Sequence, residues 1–145
     1  MATRKASAQW NGGLKGGNGS MALGSGVWEG PFTFRSRFEG DGSATNPEEL
    51  IGAAHAGCYS MQLSAILEAA GTPAESVRTE ASVELRAGDE GARIASITLR
   101  TTGRVPGIDA AKFEQAAQEA KMACLVTRAL AGVENITIEP TFVSS

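Results

Sequence analysis

The chain has two cysteines, Cys58 and Cys124, and a single histidine, His55. A cysteine thiolate is both a nucleophile and a metal ligand, so these side chains could support redox chemistry or metal binding. In a reducing compartment a permanent disulfide between the two cysteines is not expected. Two cysteines and one histidine are also too few ligands for a structural zinc site. The residues therefore leave two interpretations, a pair of inert buried thiols or a redox pair.

Two arginines precede the first cysteine, in a segment that alternates with aromatic residues. The period of two over Phe32–Phe38 predicts a strand with Arg35 and Arg37 on one face and the phenylalanines on the other. If a helix covers that face, a buried guanidinium requires a carboxylate, and the first turn of the next helix offers Glu48 and Glu49. An arginine held in this way would lower the pKa of a neighbouring thiol.

Cys58 lies within the strongest helix signal of the sequence. Asn46 is a suitable N-cap, Pro47 fits the first helical position, and Gly71 and Pro73 end the pattern after about Ala70. The segment is apolar on nearly all sides, which is typical of a central helix. We therefore expect the remaining elements to pack around this helix.

The position of Glu48 on the same helix constrains any site that also uses Cys58. The two residues are ten positions apart, which on a continuous helix is about 15 Å along the axis. They could share a site if an arginine bridges them, if the helix start is displaced, or if a second subunit supplies one of them. The small residues at positions 51–58 would let two such helices approach closely, so we expect an intimate homodimer with sites near the interface.

The remaining elements predict an α+β fold that is mostly antiparallel, in a single domain over residues 1–145. A glycine-rich N-terminal meander precedes the central helix. Asp109 is expected to cap a second long helix, and Pro140 places the last strand at a sheet edge or a bulge. The expected segments are strands near 5–10 and 20–23, a hairpin over 76–102, helices over 109–122 and 124–131, and a strand over 135–143.

Composition excludes several classes of protein. The 145 residues carry 13 Lys and Arg against 16 Asp and Glu, a net charge of −3, so no basic excess points to nucleic acid. No apolar run reaches the length of about 18 residues that a membrane span needs. The basic N-terminus is not followed by an apolar signal core, and we therefore expect a cytoplasmic protein.

The segment Thr45–Met61, which reads TNPEELIGAAHAGCYSM, closely resembles the signature of the OsmC family of osmotically inducible proteins. Arg37–Gly40, Val105–Asp109 and Ala120–Cys124 are similar to that family as well, so the resemblance covers nearly the whole chain in order. The Ala-His pair before Cys58 is similar to the OsmC branch, whereas the related Ohr (organic hydroperoxide resistance) branch tends to have Gly-Tyr there.

This resemblance implies an intertwined α+β homodimer with two sites at the subunit interface, and a thiol-dependent peroxidase that acts on organic hydroperoxides in oxidative and osmotic stress defence. It implies that Cys58 attacks the peroxide and becomes a sulfenic acid, which Cys124 resolves as a disulfide. Arg37 is the expected activating arginine, with Arg35 a weaker candidate, and Glu48 is its expected partner. Neither a cofactor nor a metal is called for, and a dithiol such as a protein-bound lipoyl group would reduce the disulfide.

The resemblance has one departure, and two alternatives stay open. The family commonly has Cys-Pro-Val-Ser at the second cysteine, where this chain has Cys124-Leu-Val-Thr127. Without the proline we expect the helix start to be less rigid, and the resolution of the sulfenic acid by Cys124 to be less efficient. One alternative is a non-catalytic binding module with inert cysteines. The other is a metal site of His55, Cys58 and Cys124, although His55 is more simply a hydrogen-bonded structural residue.

Overall fold

A computed structural model describes residues 1–144, and it is an α+β fold with two three-stranded sheets. The α+β prediction is confirmed. The elements are β1 (Ala6–Asn11), β2 (Asn18–Leu23), β3 (Glu29–Thr33), α1 (Phe34–Phe38), α2 (Pro47–Ala69), β4 (Ser76–Gly88), β5 (Gly91–Arg104), α3 (Ala110–Ala123), α4 (Leu125–Ala129) and β6 (Asn135–Val143).

The contacts divide the chain into two compact units, and the division falls near the start of α2. The first unit is Met1–Leu50, and the second begins at Ile51. In the first unit, β1, β2 and β3 form an antiparallel meander. Trp10 packs on Phe32 with ring centroids 5.2 Å apart. This sheet carries α1 at its end.

The prediction of a strand over Phe32–Phe38 is wrong beyond Thr33. The Thr33 side chain accepts a hydrogen bond from the Ser36 backbone, and the Ser36 side chain accepts one from the Thr33 backbone, which is a capping box that starts α1. Residues two apart on a helix point to nearly opposite sides. Arg35 and Arg37 therefore do not share a face, and the spacing Thr-x-x-Ser was the local signal against a strand.

The prediction for the central helix is confirmed, and α2 begins and ends where its capping residues indicate. Asn46 Oδ1 accepts a hydrogen bond of 2.8 Å from the Glu49 backbone amide, which satisfies one free donor of the first turn. After Ala69, Gly71 adopts a φ of 79°, the left-handed conformation in which helices commonly end.

The sequence has no uninterrupted apolar run of about 18 residues, but α2 as a whole has the length and mean hydropathy of a membrane span. Within residues 1–144, α2 is the one helix that passes this test of length and composition, because its small apolar residues outnumber its few charged ones. Only 28% of its most apolar 18-residue stretch is buried within the single chain. Core helices of soluble proteins pass the same test, so composition by itself does not place α2 in a membrane.

The second unit packs α2 and α3 on the sheet β4-β5-β6. β4 and β5 form the predicted antiparallel hairpin, whereas β6 runs parallel to β5, since α3 and α4 form a crossover between them. β6 is an edge strand, as Pro140 predicts. Gly103 is required in β5 because a Cβ there would overlap the ring of Phe113. The buried core consists of Tyr59, Leu63, Leu67, Ile97, Leu99, Val105, Phe113, Ala116, Ala120 and Cys124.

Candidate active site

Cys124 lies at the junction of α3 and α4, which turns its side chain into the core. Its backbone is extended, with φ −59° and ψ 121°, while its amide still donates to the Ala120 carbonyl at 2.9 Å. The side chain is completely buried. α4 begins at Leu125 without a proline, and a less rigid helix start with less efficient resolution stays a prediction.

Cys58 lies on α2 and faces Cys124. It is half-buried, packs against the core to which Cys124 belongs, and is near enough to Cys124 to help lower the pKa of that thiol. Both residues are free thiols. The structure therefore brings together the two cysteines that the sequence separates by more than sixty positions.

The surroundings of Cys124 favour its thiolate. Burial by itself raises the pKa of the Cys124 thiol, but hydrogen bonds from the Thr127 amide and hydroxyl, from Cys58 and from the Val126 amide outweigh burial and leave this pKa below its ordinary value. None of these contacts has the geometry of a standard helix cap. Sequence reasoning missed Thr127 as a partner of the thiol.

His55 is completely buried and contacts the same threonine. Its Nε2 lies 2.7 Å from Thr127 Oγ1, and its Nδ1 is buried without a hydrogen-bond partner. Burial lowers the pKa of His55, so the imidazole is neutral at neutral pH. No group of three or more His, Cys, Asp or Glu side chains among residues 1–144 is placed to hold a metal ion. The metal interpretation of His55, Cys58 and Cys124 therefore has no geometric support.

Arg37 and Glu48 form a fork-like ion pair within the first unit. Arg37 Nη2 lies 2.8 Å from Glu48 Oε1, and Arg37 Nε lies 3.1 and 3.2 Å from the two carboxylate oxygens. The Glu48 side chain is 9% exposed and the Arg37 side chain 40% exposed. The carboxylate thus holds the guanidinium in one plane while leaving part of it free for another anion.

Arg35 has a different environment. Its guanidinium lies 3.2 Å from Glu39 and 3.6 Å from Asp41, and its side chain is 68% exposed. These are surface ion pairs of small energetic value. Of the two candidate arginines, only Arg37 pairs with Glu48.

Ser36 and Asn46 fix Arg37 relative to Glu48, and sequence reasoning had predicted only the N-cap role of Asn46. Ser36 is buried, and its hydroxyl donates to the Thr45 carbonyl at 2.8 Å. The Asn46 side-chain amide donates to the Ser36 carbonyl at 3.1 Å, while its oxygen caps α2. Asn46 therefore ties α1 to the first turn of α2, which sets the distance between the two charged side chains.

An aromatic cavity of about 180 Å³ adjoins Arg37. The guanidinium lies 5.2 Å from the centre of the Phe38 ring, which in turn packs on Phe34 at 4.8 Å. The cavity could hold a small apolar group next to a cation. Its lining residues are Trp10, Leu14, Phe32, Thr33, Phe34, Arg37 and Phe38.

The fold and these residues define a two-cysteine thiol protein on an α+β scaffold. Residues 40–139 match the family model of the OsmC-like proteins. The chain is 46% identical over 128 residues to the peroxiredoxin OsmC of Escherichia coli K12, covering 88% of this chain and 89% of that protein. This chain belongs to the OsmC family.

Solved structures with the same fold include two organic hydroperoxide resistance proteins. OhrB of Bacillus subtilis superposes with a TM-score of 0.71 at 19% identity, over 94% of this chain and 98% of that one. The OsmC protein of Legionella pneumophila superposes with a TM-score of 0.69 at 21% identity, over 98% of each chain. At these identities the superpositions establish the fold.

Proposed function

We propose that the protein is a thiol-dependent peroxidase that reduces organic hydroperoxides to alcohols. The observation that carries this proposal is the pair of free thiols, Cys58 and Cys124, which lie at the same core, with the pKa of Cys124 lowered in part by Cys58. Membership in a family that includes a peroxiredoxin supports the proposal. The proposal includes a role in defence against oxidative and osmotic stress, which the family resemblance implies.

The reaction consumes both thiols. The Cys58 thiolate attacks the terminal oxygen of the hydroperoxide, the O–O bond breaks, and the alkoxide leaves as the alcohol after taking a proton. Cys58 is then a sulfenic acid. The Cys124 thiolate attacks the Cys58 sulfur, the S–O bond breaks, and hydroxide leaves as water after taking a proton. In total, one hydroperoxide and two thiols give one alcohol, one water and one disulfide.

Arg37 and Glu48 activate the first step in this proposal. A guanidinium beside Cys58 stabilises the thiolate and the charge that develops on the leaving oxygen. Glu48 orients that guanidinium through the fork, and the aromatic cavity beside Arg37 receives the organic part of the hydroperoxide. Arg35 serves as the control, because its side chain is 68% exposed and pairs with Glu39 and Asp41 instead of Glu48.

We further propose that two copies of the chain form the sites. Only 28% of the most apolar 18-residue stretch of α2 is buried in a single chain, and Met61, Met122 and Leu125 are 76%, 75% and 68% exposed. Exposed apolar surface of this extent is typical of an interface between subunits. The ten positions between Glu48 and Cys58 correspond to about 15 Å along a continuous helix. A second copy that supplies Arg37 and Glu48 to each Cys58 resolves this separation.

Mixing two inactive variants tests the shared site. Arg37→Met and Cys58→Ser homodimers each lack one required group at both sites. After mixing and exchange of subunits, a heterodimer has one complete site only if Arg37 and Cys58 come from different copies. Recovered peroxide reduction supports the shared site, and no recovery in a verified heterodimer contradicts it. A monomer in solution, or binding of the protein to lipid vesicles through α2, would also contradict the dimer.

The chemistry is tested by intact mass and free-thiol count after one equivalent of cumene hydroperoxide. We expect the wild type to lose both thiols and the mass of two hydrogen atoms, and Cys124→Ser to form a sulfenic acid on Cys58. Cys58→Ser should keep Cys124 free. If no variant changes, the cysteines are inert and the binding-module alternative applies; a sulfenic acid on Cys124 in Cys58→Ser would reverse the two roles.

We propose that a dithiol, such as a protein-bound lipoyl group, regenerates the enzyme in the cytoplasm. The two free thiols fit a reducing compartment. A dithiol completes the exchange within one mixed disulfide, because its second thiol is already at the site. Turnover should therefore be faster with dihydrolipoamide than with glutathione at equal thiol concentration. Equal rates would refute a preference for dithiols.

A further inference from the structure

His55 is a fully buried polar group that the reaction above does not use. It lies on α2 three residues before Cys58, and its one hydrogen bond reaches Thr127 on α4. Thr127 is the third residue after Cys124, within α4, and its hydroxyl helps to lower the pKa of the Cys124 thiol. The threonine that contacts the imidazole is therefore also close in the chain to the second thiol.

The direction of these two hydrogen bonds follows from the number of protons. The hydroxyl of Thr127 has one proton, and if its oxygen accepts the proton of His55 Nε2, 2.7 Å away, that hydroxyl proton is free to be donated toward Cys124. The lowered pKa of the Cys124 thiol agrees with this direction. The neutral imidazole has its proton on Nε2, which leaves Nδ1 as a bare acceptor.

The unpartnered Nδ1 of His55 agrees with this assignment. In the opposite tautomer Nδ1 would be a buried N–H donor without an acceptor, and such orphaned donors are rare in folded proteins. A bare lone pair is the less costly group to leave unsatisfied. Protonating the imidazole would also cost free energy, because a buried charge is poorly solvated and burial already lowers the pKa of His55.

We propose that His55 is a positioning residue for Cys124: it donates a hydrogen bond to Thr127, which fixes the hydroxyl so that it donates to the Cys124 sulfur. This inference rests on the proposed function for its catalytic consequence, which is faster attack of Cys124 on the Cys58 sulfenic acid. α2 therefore carries both Cys58, which the peroxide oxidises, and His55, which prepares Cys124 through Thr127. The proton released on resolution leaves with the hydroxide as water, so His55 need not change its charge.

Four variants separate this role from a merely structural one. His55→Leu removes the donor, and His55→Gln retains an N–H at a similar distance without a titratable ring. Thr127→Val removes the hydroxyl, and Thr127→Ser retains it. Thr137→Val is the matched control, since it removes an exposed threonine hydroxyl whose partner is Thr98.

The experiment is a single turnover with one equivalent of cumene hydroperoxide, in which sulfenic acid formation and disulfide formation are followed separately. We expect His55→Leu and Thr127→Val to slow disulfide formation about tenfold relative to sulfenic acid formation, the loss typical of one hydrogen bond to a charged group. His55→Gln and Thr127→Ser should restore the ratio, and Thr137→Val should not change it. An unchanged ratio in His55→Leu, or no rescue by His55→Gln, overturns the proposal.

A titration of the unreacted, reduced protein distinguishes failure of this inference from failure of the proposed function. The thiolate absorbance of Cys124, measured in the Cys58→Ser background, should move to higher pH on His55→Leu and Thr127→Val and return with His55→Gln and Thr127→Ser. This readout needs no peroxidase activity. If the midpoint does not move, the inference is wrong even when the wild type reduces peroxide.

Discussion

Replacement of Arg37 by methionine tests whether the fork with Glu48 stabilises the fold. The substitution removes three contacts of 2.8–3.2 Å and leaves a carboxylate that is 9% exposed without its partner. Breaking a fully buried pair costs about 3–5 kcal/mol and an exposed one at most about 1 kcal/mol. Because Arg37 is 40% exposed, solvent screening places the expected loss between these limits, at about 2 kcal/mol.

The assay is urea and thermal unfolding at one fixed protein concentration, since subunit association adds to the apparent stability. For a chain of this length a loss of 2 kcal/mol corresponds to a decrease in Tm of about 4–8 °C. Arg35→Met is the matched control, the same substitution two positions earlier, and should cost no more than about 0.5 kcal/mol because its ion pairs are exposed.

The double variant Arg37→Met with Glu48→Leu identifies the cause of the loss. Replacing both members of a buried pair by apolar side chains is often nearly neutral, so the double variant should recover about 1 kcal/mol relative to Arg37→Met. The reasoning is refuted if Arg35→Met is as destabilising as Arg37→Met, or if the double variant is no more stable than the single one.

Two further predictions concern the second cysteine. Leu125→Pro should stabilise the protein by about 0.5–1 kcal/mol and raise Tm by about 1–4 °C. Leu125 is the first residue of α4, and the backbone of Cys124 already has a conformation that is allowed before a proline. A lower Tm than that of Leu125→Ala would contradict this prediction. In Cys58→Ser, the thiolate absorbance of Cys124 should titrate at lower pH in the folded than in the denatured protein. Because the pKa of this thiol is lower in the folded than in the denatured protein, its ionisation stabilises the fold at pH values above the ordinary thiol pKa. This contribution is lost as the pH falls through the folded-state pKa. Equal titration midpoints in the folded and denatured protein would contradict the prediction.

Features set by neighbouring residues could be predicted from the sequence. Asn46 and Pro47 start α2 and Gly71 ends it, and Asp109 caps α3 through the Lys112 amide at 2.8 Å. Each of these signals acts over three or four positions, so the chain shows them before it folds. The segment Thr45–Met61 also identified the family by itself. The missed helix α1 was local as well, since the capping box of Thr33 and Ser36 was present in the sequence.

Other features were decided only by the tertiary structure. The partner of Arg37 depends on α1 turning its side chain toward Glu48 while Arg35 points elsewhere, and the parallel register of β6 depends on the crossover through α3 and α4. The link from His55 to Thr127 joins residues 72 positions apart. The sequence determined which residues could do chemistry and which short segments would be helical, because both follow from side-chain type and nearby spacing. Which groups of α2 lie near Cys124 and Thr127 was decided by packing, because Cys58 and His55 are distant from both in the sequence and approach them only in the folded chain.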